Sequence, residues 1–157
     1  MKRFFLPLVA LSLLFVSCAS SSTESAEKAA QVQEEVNQAF EEVYHHFDQV
    51  LILDGAKEYK VKQGDTLSSI AKDFYGKDNG YYFPIIMLAS SQTVLDPDKI
   101  EPGMTLTVPN LQKNLDDTSV HQNMKKYFNE IADVYKTKKT ATAKKTRQEL
   151  LKIASML

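Results

Sequence analysis

The sequence predicts an α+β fold. A small strand–helix–helix–strand module carries a two-stranded antiparallel sheet, flanked by a long N-terminal helix and by C-terminal helices. Three observations predict it. Short alternating stretches at Tyr59–Val61 and Leu106–Val108 bracket two patches of helical pattern. Val36, Phe40, Val43, Phe47 and Val50 recur at heptad spacing. Val120, Met124, Tyr127, Phe128, Ile131, Val134 and Tyr135 follow i, i+4, i+7, i+8 spacing.

The chain of 157 residues suits one small domain with flanking elements. With 19 basic and 20 acidic side chains, it has no bulk charge drive toward nucleic acid. One Cys excludes a disulfide framework and a Cys-rich zinc site.

Residues 1–17 read as a secretory signal. Lys2 and Arg3 precede an apolar stretch of 13 residues, Phe4 to Val16. A membrane-spanning helix needs about 20 apolar residues, so the stretch fits the apolar core of a signal. Phe15-Val16-Ser17-Cys18 resembles the bacterial lipobox, with Phe15 at the usual Leu position. That resemblance implies lipidation of Cys18, because a thiolate forms the thioether to diacylglycerol. Two or three acyl chains anchor stably in a bilayer, where one chain is marginal. Ala19, rather than Asp, after the Cys implies the outer membrane, facing the periplasm.

Beyond the signal, charge divides the chain. Residues 18–56 hold 8 acidic and 1 basic side chains, 57–111 hold 7 and 6, and 112–157 hold 5 and 10. Residues 18–23 read as a Ser-rich tether. Residues 24–56 read as an acidic amphipathic helix from Glu24 to Leu53, ended by Asp54-Gly55. Its apolar stripe must be covered. The basic helical segment 112–157 is the simplest cover; the alternatives are an envelope protein partner or a second copy. Asp117, Thr118 or Ser119 can cap the first C-terminal helix, and Leu150, Leu151, Ile153, Ala154 and Leu157 mark a final one.

Within 57–111, Gly64-Asp65-Thr66 turns the chain and supplies a helix cap, and Leu67, Ile70, Ala71 and Phe74 form one helical face. Gly76 closes that helix, and Pro84 suits the first turn of the next. Glu101-Pro102-Gly103-Met104 predicts a type II turn before the last strand.

Three blocks, taken together, resemble a lysin motif (LysM) domain: Tyr59 to Ala71, Phe83 to Ser90, and Asp96 to Pro109. The resemblance implies non-covalent binding of peptidoglycan or another N-acetylglucosamine-containing glycan, in a shallow groove between two loops. Gly64, Asp65, Thr66 and Leu67 match the first wall. Ser90, Leu95, Asp96 and Ile100 lie in or near the second. Neutral N-acetyl sugars need backbone N–H and C=O groups for the amide and apolar side chains for its methyl. Two positions depart from the pattern: Phe83 stands where Trp is common, and Ser90 where Asn is usual.

No catalytic chemistry is expected. Ser-His-Asp, Gly-x-Ser-x-Gly and Cys-His patterns are missing from the sequence. The residues after the module are too few and too rich in Lys and Thr for a hydrolase domain. Adjacent His45 and His46 point about 100° apart on a helix and do not suit one metal. The basic run Lys136, Lys138, Lys139, Lys144, Lys145 and Arg147 reads as a solvated face pairing with the acidic helix; the alternative is contact with anionic lipid or glycan polymers. No cofactor is expected beyond the covalent lipid at Cys18. The expected protein is an envelope lipoprotein that tethers or locates itself at the cell wall. The alternative is an interaction scaffold in which the module serves only localisation.

Overall fold

The computed structural model describes residues 20–157, with side chains from Ser25 onward. The signal-like segment and Cys18 lie outside the described residues. In chain order, the elements are α1 (Ser20–His46), β1 (Lys57–Lys60), α2 (Leu67–Tyr75), α3 (Phe83–Ala89), β2 (Thr105–Val108), α4 (Leu111–Asp116), α5 (Thr118–Val134) and α6 (Ala143–Met156). Two 3-10 turns, Gly80–Tyr82 and Pro97–Lys99, precede α3 and β2. No helix among the described residues is long and apolar enough to cross a membrane.

The strand–helix–helix–strand order is as expected. β1 and β2 pair antiparallel, with Lys57 opposite Val108 and Tyr59 opposite Leu106. Leu106 and Val108 are buried, and Thr105 and Thr107 point the other way, which is the period-2 alternation seen in the sequence. The type II turn also forms. Gly103 takes φ +97°, and the Met104 N–H donates to the Glu101 carbonyl at 3.1 Å. Pro84 sits in the first turn of α3, where its missing N–H leaves no helical bond unmade.

The long N-terminal helix differs from expectation at both ends. It begins at Ser20, within the stretch expected as a tether, and it stops at His46 rather than Leu53. Gln49 adopts φ +62°, a left-handed conformation that a continuing helix excludes. The segment after it is taken up by a tertiary bond. The Asn114 side chain, fully buried, accepts from the Ile52 N–H at 2.8 Å and donates to the Ile52 carbonyl at 3.0 Å. Val50, Leu51 and Ile52 therefore pack half-buried in a non-helical run. Asn114 belongs to α4, a short helix that the periodicity does not reveal. Asn110 caps it, and Asp117 caps α5 by accepting from the Val120 N–H.

The apolar stripe of α1 is covered inside the chain. Val36, Phe40, Val43, Tyr44 and Phe47 are buried. Phe47 meets Tyr127 of α5 edge-on at 5.3 Å, and Phe40 meets Tyr135 at 6.0 Å. The stripe is thus not available for a second copy or a partner. The cover does not use the expected charge pairing. Glu27, Glu34, Glu35, Glu41 and Glu42 are exposed, and among the described residues none forms an ion pair with a C-terminal lysine. Apolar burial holds α1 in place; one fully buried large side chain contributes about 1.5–3 kcal/mol, more than an exposed ion pair gives.

The bundle and the module share one core. Tyr127, fully buried on α5, donates its hydroxyl to the Pro84 carbonyl of α3 at 2.8 Å. Tyr82 packs edge-on against Phe128 at 5.8 Å. The helices therefore fix the back of the module.

Candidate functional site

The first loop, between β1 and α2, is organised by its own residues. Gly64 takes φ +87°, and a Cβ built there would meet nothing within 4 Å. The glycine is needed for its backbone conformation, and it leaves the peptide open to an approaching ligand. The Asp65 carboxylate turns inward. Its Oδ2 accepts from the Lys62 N–H and from the Tyr59 hydroxyl, each at 2.8 Å. The Lys62 N–H, then the Tyr59 hydroxyl, holds this carboxyl below its usual range. Thr66 forms a capping box on α2. Its Oγ1 accepts from the Ser69 N–H at 3.1 Å, and Ser69 Oγ accepts from the Thr66 N–H at 2.9 Å. Leu67 is buried beneath the loop. In this wall the side chains of Asp65 and Thr66 shape the loop, the Asp65 N–H donates to the Lys62 carbonyl at 3.2 Å, and Gly64 is exposed.

The second loop, from Ser90 to Met104, is held from outside. Ser90 is buried, and its Oγ accepts from the Thr107 N–H at 2.8 Å and donates to the Thr107 carbonyl at 3.3 Å. These bonds satisfy β2 on the edge that has no neighbouring strand. Asp96 is also buried, at 4% exposure. Its Oδ2 accepts from Gln33 Nε2 of α1 at 2.8 Å, and its Oδ1 accepts from the Asp98 N–H at 2.9 Å. Lys138, from the segment joining α5 to α6, ion-pairs with Asp96 and reaches Asp98 Oδ2 at 2.9 Å. The Lys138 ammonium lies 5.5 Å from the Phe40 ring centre and 5.6 Å from that of Tyr135. Burial raises the Asp96 carboxyl, but Lys138, Gln33 and the Asp98 N–H outweigh it and hold it below its usual range.

The expected second-wall residues therefore divide. Ser90 and Asp96 are committed to internal bonds and do not face a ligand. Ile100 is half-buried against the core. Leu95 is 39% exposed, an apolar side chain on the outer surface of the wall.

A cleft of about 270 Å³ lies between the loops. Thr66, Leu67 and Ser68 border one side, and Pro97 and Asp98 border the other. Phe83 and Tyr81 also line it. The C-terminal helices supply a third wall, formed by Tyr135, Thr142, Lys145 and Thr146. Sequence reasoning missed this wall, together with Gln33 and Lys138, because it depends on tertiary packing. The only signal was the basic run from Lys136 to Arg147, and nothing local shows which of its residues meet the module.

Residues 59–109 match the LysM domain family. Among curated proteins, the potassium binding protein Kbp of Escherichia coli is 47% identical over 51 residues, which are 32% of this chain and 33% of that protein. The chain thus matches about a third of that relative's length. No solved structure matches the chain.

Proposed function

We propose that this protein binds peptidoglycan non-covalently through its one LysM domain and holds itself at the cell wall. LysM domains bind N-acetylglucosamine glycans such as peptidoglycan. The observation that carries the reading is the 59–109 match, on a fold whose two loops border one cleft. In the same two loops, outside the cleft lining itself, Gly64 is open and Leu95 is exposed, and they supply the two kinds of group an N-acetyl unit needs: peptide groups for its amide and apolar surface for its methyl. A single small cleft binds one glycan weakly. Attachment to a membrane raises the local concentration of domain and wall and strengthens retention. The lipobox-like sequence at Cys18 would supply that attachment, in the outer membrane facing the periplasm. The role is non-catalytic.

The test has two arms. Purified protein is sedimented with insoluble peptidoglycan; recovery in the pellet is expected, and recovery in the supernatant refutes the binding half. Labelled fatty acid is followed into wild type and Cys18→Ala; the label should be lost in the variant, and its retention refutes the anchor half.

A further inference from the structure

The third wall changes what the cleft can recognise. We propose, building on the glycan-binding reading, that the cleft takes an amino-sugar glycan bearing a carboxylate, and that Lys145 determines this preference. Lys145 lines the cleft and, among the described residues, forms no ion pair. Asp98, the acidic residue lining the same cleft, is bound to Lys138 at 2.9 Å. Lys138 carries one charge against two carboxylates, Asp96 and Asp98, so Asp98 is only partly compensated. Lys145 is the cation on the cleft lining, on the wall opposite the two loops. The hydroxyls of Thr142 and Thr146 stand on the same wall and suit sugar hydroxyls. Leu67, Phe83 and Pro97 supply apolar surface around them.

A neutral glycan can use the apolar and hydroxyl groups but leaves Lys145 without a partner. A glycan with a carboxylate next to its N-acetyl group engages both. Alternating N-acetylglucosamine and N-acetylmuramic acid carries that carboxylate on the lactyl ether, or on the stem peptide where one is attached. Chitin carries neither.

The experiment measures binding of the purified protein to four soluble glycans of equal length. These are a chito-oligosaccharide, a peptide-free muramyl glycan, the same glycan with stem peptides, and a form with its carboxylates amidated. The wild type should prefer the carboxylate-bearing glycans over the chito-oligosaccharide and the amidated form by roughly three- to five-fold, the size of one exposed charge pair. High salt should remove the preference. The peptide-free and peptide-bearing arms identify which carboxylate is read. Lys145→Gln should bind all four glycans alike, at the wild-type affinity for the neutral one. Lys152→Gln, elsewhere on α6, should keep the preference. Equal wild-type binding to charged and neutral glycans overturns the inference and leaves the glycan-binding reading intact. So does a preference that survives Lys145→Gln. Failure to bind any glycan overturns both.

Discussion

The two loops that face each other across the cleft are built on opposite principles. Every side-chain bond that shapes the first loop spans six residues or fewer: Tyr59 to Asp65, Asp65 to Lys62, Thr66 to Ser69. The bonds that shape the second reach far along the chain. Ser90 bonds Thr107, 17 residues on; Lys138 is 42 residues from Asp96, and Gln33 is 63. The first loop carries its instructions with it. The second adds to its own Ser90–Thr107 and Asp96–Asp98 bonds ties to α1 and to the segment between α5 and α6. One wall belongs to the module, and the other is a property of the whole molecule.

Breaking the long-range clamp should therefore have the largest effect. Lys138→Met leaves the buried Asp96 carboxylate without its cation and should destabilise the protein by about 3 kcal/mol, read by chemical denaturation. It should also weaken glycan binding more than its stability loss alone explains, since the second wall loses its tie. The sign of the acid response separates this cause from lost packing. In wild type the Asp96 carboxyl is held low, so its contribution is present near neutrality and is lost as pH falls below about 4. In Lys138→Met the ammonium no longer opposes burial, so the Asp96 carboxyl protonates at a higher pH than in wild type. The stability gap between the two proteins should narrow as pH is lowered from 7 to 3, and a constant gap contradicts the clamp.

Ser90→Ala comes next. It removes the hydroxyl that satisfies both peptide groups of Thr107 and should cost about 1–3 kcal/mol, read as a lowered denaturation midpoint with unchanged slope. Thr66→Ala tests the first loop. Loss of the capping box should cost about 1 kcal/mol, and the effect should be the same whether or not Lys138 is intact. Asp65→Asn should have the smallest effect, a slight fall in melting temperature, because the amide oxygen can still accept from the exposed Lys62 N–H and the half-buried Tyr59 hydroxyl.

The same contrast explains what was legible in the sequence. Module elements are marked by neighbours within a few residues: Gly64 and Thr66 at the start of α2, Pro84 in α3, Pro102-Gly103 in the turn before β2. The α1 stripe was legible because Val36, Phe40, Val43 and Phe47 repeat in the period that burial selects. The end of α1 was not, because Val50 and Leu51 continue the period while Asn114, far along the chain, bonds Ile52 in an extended form. Asp96 shows the same limit at the site. Its place in a loop that matches a glycan-binding wall marked it as a contact residue, and only the fold reveals that Lys138 and Gln33 occupy its carboxylate. Lys145 was marked only as one of a basic run; its place on the cleft follows from the packing that brings α6 against the module.

The most direct test is sedimentation of the purified protein with insoluble peptidoglycan, wild type beside Leu95→Asp. Leu95 is exposed, so a carboxylate there alters the outer surface of the second wall and leaves the core unchanged. Wild type should be recovered in the pellet. Leu95→Asp should stay in the supernatant at an unchanged melting temperature. Wild type in the supernatant contradicts glycan binding; a Leu95→Asp variant that pellets as well as wild type contradicts contact at Leu95 and confines the glycan to the cleft, which Leu95 does not line.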